Sequence, residues 1–144
     1  MKSNNSKLEV WWFDDDDFFY RYFSMKLKNE YRMLKDRINV TRFTSLAAEL
    51  EREGTPDIII IDTTTMTDVG TYVGNWDRYA MTLLRKFAEK HVSSQFVISS
   101  AVGYWAQDFV RELQQTIEEL APVKVIECGD IAVLDYLTNF IRNR

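Results

Sequence analysis

Short, mostly apolar runs alternate along this chain with longer stretches whose apolar residues recur every three or four positions. The run Leu8-Glu9-Val10-Trp11-Trp12-Phe13 predicts a strand buried on both faces, the kind found in parallel sheets. From Asp17 to Leu34 the residues Phe19, Phe23, Leu27 and Leu34 fall near helical spacing and predict the first helix. A short β-branched strand over Asn39 to Phe43 follows, then a helix over Ser45 to Glu53 with Leu46 and Leu50 on one face and Gly54 as its stop. Pro56-Asp57 opens a third strand, Ile58 to Ile61, which ends in Asp62. The polar stretch Thr63 to Trp76 contains Gly70 and Gly74, lacks periodicity, and is long enough for a functional loop. Beyond it the pattern predicts a helix over Asp77 to Lys90, a strand over Gln95 to Ser99 and an amphipathic helix over Trp105 to Leu120 that Pro122 ends. A fifth strand over Val123 to Glu127 and a last helix over Ile131 to Ile141 complete the chain. Five strands alternating with five helices imply an α/β, doubly wound parallel sheet, because right-handed crossovers lay helices on both of its faces.

Composition narrows the class. The 144 residues suit one domain, and 46% hydrophobic with 28% charged residues is ordinary for a globular chain that buries a full core. No apolar run approaches a membrane span of about 20 residues, and Met1 to Ser6 lacks an apolar signal segment, so the expected compartment is the cytoplasm. A lone cysteine, Cys128, rules out an internal disulfide and a cysteine-based zinc cluster, and a lone histidine, His91, rules out a histidine-rich metal site. Cys128 reads as a small buried residue, and His91, at a helix end beside Lys90, as a partner for the helix dipole. The net charge of −4 argues against a nucleic-acid surface. Aromatics make up 14% of the chain, and their cluster around Trp11 to Phe23 reads as core packing for a wide sheet.

The chemistry lies in the carboxylates. Asp14, Asp15, Asp16 and Asp17 directly follow the first apolar run, and Asp62 ends the third. Open parallel sheets bind ligands at the carboxyl ends of their strands. If those two strands are neighbours, Asp14 or Asp15 comes close to Asp62, and such crowded negative charge requires a shared proton or a hard cation. This predicts a site that handles Mg²⁺ or phosphate. Four adjacent side chains cannot all face one pocket, so Asp17 reads as the cap of the first helix and Asp130 as the cap of the last.

The order Val10-Trp-Trp-Phe-Asp14-Asp15-Asp16, then Gly54-Thr-Pro-Asp57-Ile-Ile-Ile-Ile-Asp62, then Phe96-Val-Ile-Ser-Ser100-Ala101 resembles the receiver domain of two-component response regulators over nearly the whole chain. The resemblance implies a flavodoxin-like (βα)5 fold with strand order 2-1-3-4-5. It implies Mg²⁺ bound by Asp14, Asp15 and Asp62 with the backbone carbonyl of Thr64, Asp62 as phosphoacceptor, and Ser100 as the switch hydroxyl. It also implies a sensor histidine kinase or phosphotransfer protein as phosphodonor, and a downstream protein docking on the helix-four surface near Tyr104 and Trp105. Neither nucleic acid nor membrane is expected as a partner. With the last helix ending near Arg144, residues 1–144 are expected to be a single receiver-like domain with no output domain.

The departures from that pattern lie in the same site. Thr65-Met66 and Val69-Gly70 stand where the family shows a Met-Pro turn and an acidic-Gly pair. The family's strand-five lysine has no counterpart: its position falls at Glu127 or Cys128, and Lys124 comes too early. Two versions stay open, a receiver that accepts phosphate on Asp62 and a pseudo-receiver that signals by contact. Phe13-Asp14-Asp15-Asp16, Ser99 or Ser100, and Gly129-Asp130 with Asp135 also resemble haloacid dehalogenase-like phosphatases. There Asp14 would be the nucleophile, Asp16 the general acid/base and Asp130 a metal ligand, with no role for Asp62.

Overall fold

The computed structural model describes residues 7–13, 17–43, 52–62, 78–100, 107–127 and 130–143. Five strands, β1 (Leu8–Phe13), β2 (Ile38–Phe43), β3 (Ile58–Asp62), β4 (Gln95–Ser100) and β5 (Val123–Glu127), form one sheet. Every pairing is parallel and the order is β2-β1-β3-β4-β5, the flavodoxin-like arrangement expected from the receiver resemblance.

Why these runs occupy the middle of the sheet follows from their composition. Side chains alternate between the faces of a strand, so a strand covered on both sides must be apolar at every position. β3 meets that demand with four consecutive isoleucines, all buried, whose branched side chains suit the pleated surface. β1 meets it with Val10, Trp11, Trp12 and Phe13. The edge strand β2 instead alternates, with Asn39 and Thr41 exposed between Ile38 and Phe43, which are buried.

Alternation divides the core into two layers. Trp11, Phe13, Ile59, Ile61, Phe96 and Ile98 face α3 (Arg78–Lys90) and α4 (Gln107–Glu118), which contribute Leu84, Phe87, Leu113 and Ile117 at helical spacing. Trp12, Val10, Ile58, Ile60 and Val97 face α1 (Asp17–Asn29) and α5 (Asp130–Arg142), which contribute Phe23, Val133, Leu134 and Leu137. The aromatic cluster around Trp11 is core, as expected: Trp12 packs on Phe23 with ring centroids 4.3 Å apart, and Phe13 stacks on Phe43 at 5.0 Å.

Three local expectations are corrected. The first helix does not reach Leu34: α1 ends at Asn29, Tyr31 leaves helical geometry at φ −122° and ψ 51°, and a short helix α2 (Arg32–Lys35) follows. The break turns the chain back so that Leu34 enters the core while Ile38 starts β2 beside Leu8, where the Leu8 amide donates to the Arg37 carbonyl at 2.8 Å. Arg52 and Glu53, expected in the second helix, are not helical, and the rest of that helix lies outside the described residues. His91 does sit just past α3, but its ring is buried against Trp11 and Phe87, at centroid distances of 5.1 and 4.7 Å. Its Nε2 has no hydrogen-bond partner among the described residues. Burial, aided by the neighbouring charge of Lys90, therefore holds its pKa below the ordinary 6.5, which favours the neutral ring over a cation at the helix end.

Gly54 closes the same corner. Its φ of +144° is a conformation that side-chain-bearing residues rarely adopt, and a Cβ there would lie 2.9 Å from the Trp11 ring. Replacing Gly54 with Ala should therefore destabilise the fold by about 1 to 3 kcal/mol, read as a lower urea midpoint. The buried imidazole gives a pH dependence of definite sign. Below its unfolded pKa of 6.5 the unfolded chain binds a proton that the folded chain resists, so stability present above that value is lost as the pH falls toward the depressed folded pKa. His91→Phe should reduce the drop in urea midpoint between about pH 7.5 and pH 5.5; an unchanged drop would assign the acid sensitivity elsewhere.

Candidate functional site

The strand order reverses direction between β1 and β3: the chain leaves β1 for β2 on one side, then crosses back to β3 on the other. At such a switch point the crossovers diverge and leave a crevice at the carboxyl ends of the two strands. Here Phe13 pairs with Ile61, so β1 and β3 end side by side, and Asp62 stands one residue beyond that pair. On its other side Asp62 pairs with Ser99 of β4, and Ser100 pairs with Glu127 of β5.

Of the expected site residues, the structure thus brings the backbones of Asp62 and Ser100 to the same edge of the sheet, at the ends of adjacent strands. Asp14, Asp15, Asp16 and Thr64 lie outside the described residues, as do the Thr63–Trp76 loop, Cys128, Tyr104 and Trp105. Among the described residues no three acidic, histidine or cysteine side chains gather as a metal-holding group. Asp17 and Asp130 are the first residues of α1 and α5. The register also locates the charge departure. Glu127 occupies the end of β5 beside Ser100, whereas the exposed Lys124 pairs with Val97, three residues earlier and about 10 Å back along the strand.

Two aspartates within the runs that carry the family resemblances are tied into the framework. Asp57, the first acid of the Pro-Asp-Ile-Ile-Ile-Ile-Asp run, lies at the opposite edge of the sheet. Its Oδ2 accepts a 2.8 Å hydrogen bond from the Glu9 amide, its own amide donates to the Glu9 carbonyl at 2.8 Å, and its carbonyl accepts from the Gln95 amide at 3.0 Å. It fastens β1, β3 and β4 together where they begin. Asp135 sits in the second turn of α5 and accepts a 2.8 Å hydrogen bond from the Tyr31 hydroxyl, which pushes the Tyr31 phenol above its ordinary pKa. Neither bond was legible in the sequence, since their partners lie 48 and 104 positions apart.

No protein-family model matches the chain, and no curated protein matches its sequence. Solved structures do match in shape. A response regulator from Colwellia psychrerythraea superposes with a TM-score of 0.64 at 17% identity, over 96% of this chain and 100% of that one. The beryllofluoride-activated receiver domain of DrrB gives 0.61 at 13% identity, over 94% and 98%. The pilus assembly protein CpaE from Caulobacter crescentus gives 0.59 at 14% identity, over 94% of each. Together with the strand order, these likenesses establish that the chain has the CheY-like receiver fold of response regulators.

The two acids that bracket β3 should separate by experiment. Asp57→Ala removes the acceptor for the Glu9 amide and should cost about 1 to 3 kcal/mol of stability, whereas Asp62→Asn, which relieves negative charge at the strand end, should leave stability unchanged or raised. Chemical denaturation of the two variants checks this; equal losses would remove the distinction.

Proposed function

We propose that this chain is a receiver module of two-component signalling that accepts a phosphoryl group on Asp62 slowly and incompletely, because the site lacks the strand-five lysine. The observation that carries the reading is the position of Asp62 at the carboxyl end of β3, beside the end of β1 at the topological switch of a receiver-fold sheet. In this reading Asp14, Asp15 and Asp62 hold Mg²⁺ with the Thr64 carbonyl. The donor set fits: Mg²⁺ takes oxygen ligands, and one or two carboxylates usually hold it while it keeps several waters. The ion screens the acceptor carboxylate from the incoming phosphoryl oxygens.

The Asp62 carboxylate is the nucleophile, and the Ser100 hydroxyl donates to a phosphoryl oxygen. A charge-assisted hydrogen bond is typically worth about 1.5 to 3 kcal/mol, so a site without the lysine loses stabilisation of that order. Glu127 at the neighbouring strand end adds no cation in its place. The phosphodonor would be a sensor histidine kinase or phosphotransfer protein, and the output a protein contact at the α4 surface near Tyr104 and Trp105. Coupling between Asp62 and that surface is expected to be small.

Acetyl phosphate with Mg²⁺, followed by intact mass, tests the proposal. The expected result is slow, partial addition of one phosphoryl group that Asp62→Asn abolishes and Asp15→Asn slows, with little change in amide exchange around residues 100–110. Rapid stoichiometric addition with altered exchange there would overturn the weakened-site version in favour of a full phosphorylation switch. No addition, together with no beryllofluoride binding, would leave a fold that signals by contact alone. A beryllofluoride adduct on Asp14 would instead establish the phosphatase chemistry.

A further inference from the structure

The β1–β2 crossover carries a feature that the proposed phosphoacceptor chemistry does not use. In a parallel sheet with helical crossovers the helices run back against the strands, so the C-terminal ends of α1 and α5 lie at the edge where the strands begin, away from Asp62. There α2 stands against the last turns of α5 and leaves two adjoining hollows of about 650 and 320 Å³, which share Met33, Leu34, Thr138 and Arg142.

The lining combines an apolar floor with cations. Leu34 and Ile141 pack into the core layer beneath, while Met33 is 80% exposed, the largest value among the exposed large hydrophobics of the described residues. Arg32, Arg37 and Arg142 line the hollows, and no guanidinium of the three meets a carboxylate within ion-pair distance among the described residues. The two acids at the rim are already engaged: Glu30 pairs with Lys26 at 2.8 Å, and Asp135 accepts the Tyr31 hydroxyl. With Glu30 balanced by Lys26, Arg32, Arg37 and Arg142 outnumber the one remaining rim carboxylate, Asp135, so the groove is positive in balance on a chain whose net charge is −4.

We propose that the α2–α5 groove docks an acidic peptide segment of a partner protein, with one apolar side chain seated on Met33, Leu34 and Ile141. Arginine is suited to this because its planar fork binds carboxylates bidentately and is more weakly hydrated than an ammonium. Methionine at the centre adapts to apolar anchors of different shape. The concave shape, lined by the Asn139 amide and by Thr138 Oγ1, which donates to the Leu134 carbonyl at 2.9 Å and can still accept from a peptide N–H, favours a chain segment over a flat anionic membrane surface. The groove is separate from Asp62, so this inference stands or falls independently of phosphoryl transfer.

The test is a titration of the isotopically labelled full chain with a short peptide of Glu and Asp around a central Leu-Leu pair, followed by amide chemical shifts. Saturable shifts are expected at Arg32, Met33 and the end of α5, weakening as salt rises from about 0.05 to 0.5 M. The double variant Arg32→Glu, Arg142→Glu should weaken binding at least about tenfold, since opposed like charges replace attraction. Met33→Asp should weaken it as well, and both variants alter exposed positions whose folding circular dichroism verifies. A peptide of the same charge without the leucines should bind more weakly. Absence of saturable shifts, or binding unaffected by the charge reversals, would overturn the proposal. So would binding to phosphatidylserine vesicles in preference to the peptide, which would make the patch a membrane contact.

Discussion

The adjacent tryptophans of β1 must be covered on both sides at once. Trp11 and Trp12 point to opposite faces of the sheet, and each is buried. Trp12 demands α1 and finds Phe23; Trp11 demands the α3 layer and finds Phe87 and His91. The strand lies inside the sheet, between β2 and β3, with helices packed on both of its faces. The reversal of strand order beside β1 leaves the crevice at its carboxyl end.

The same constraint explains why the two edges of the sheet are chemically different. At the starting edge, backbone groups are tied down: Asp57 binds Glu9, Ser94 Oγ donates to the Pro56 carbonyl at 2.7 Å, and Gly54 lets the chain pass against Trp11. These bonds hold the registers of β1, β3 and β4, so the opposite edge inherits a fixed alignment of strand ends. There Phe13, Ile61 and Ile98 stand in register, and one residue further on Asp62 pairs with Ser99 at the strand ends. Framework and site thus occupy opposite ends of the same strands.

Much of this was legible in the chain. Uninterrupted apolar runs identified the four-isoleucine strand and β1 as buried strands, because burial on both faces writes directly into the spacing of apolar residues, whereas the place of β2 at the edge followed from the receiver resemblance. The position of Asp62 at a strand end was equally readable. The break after Asn29 was not: Leu27 and Leu34 share a helical face, so periodicity continues across a turn that exists only to bring Ile38 beside Leu8. His91 looked like a helix-end cation because its sequence neighbours are basic, whereas its surroundings are Trp11 and Phe87 from β1 and α3.

The sequence by itself determined which segments are buried, on how many faces, and which carboxylate ends the central strand, since those depend on side-chain type and period. Only the tertiary structure decided which distant residues meet. Tyr31 finds Asp135, and Asp57 finds Glu9, because crossovers return the chain to places that local spacing does not encode. The groove between α2 and α5 arises in the same way, from a short helix closing a crossover against the end of a helix a hundred residues later. Hydrophobic period is a local property; the pairing of polar groups is a property of the folded topology.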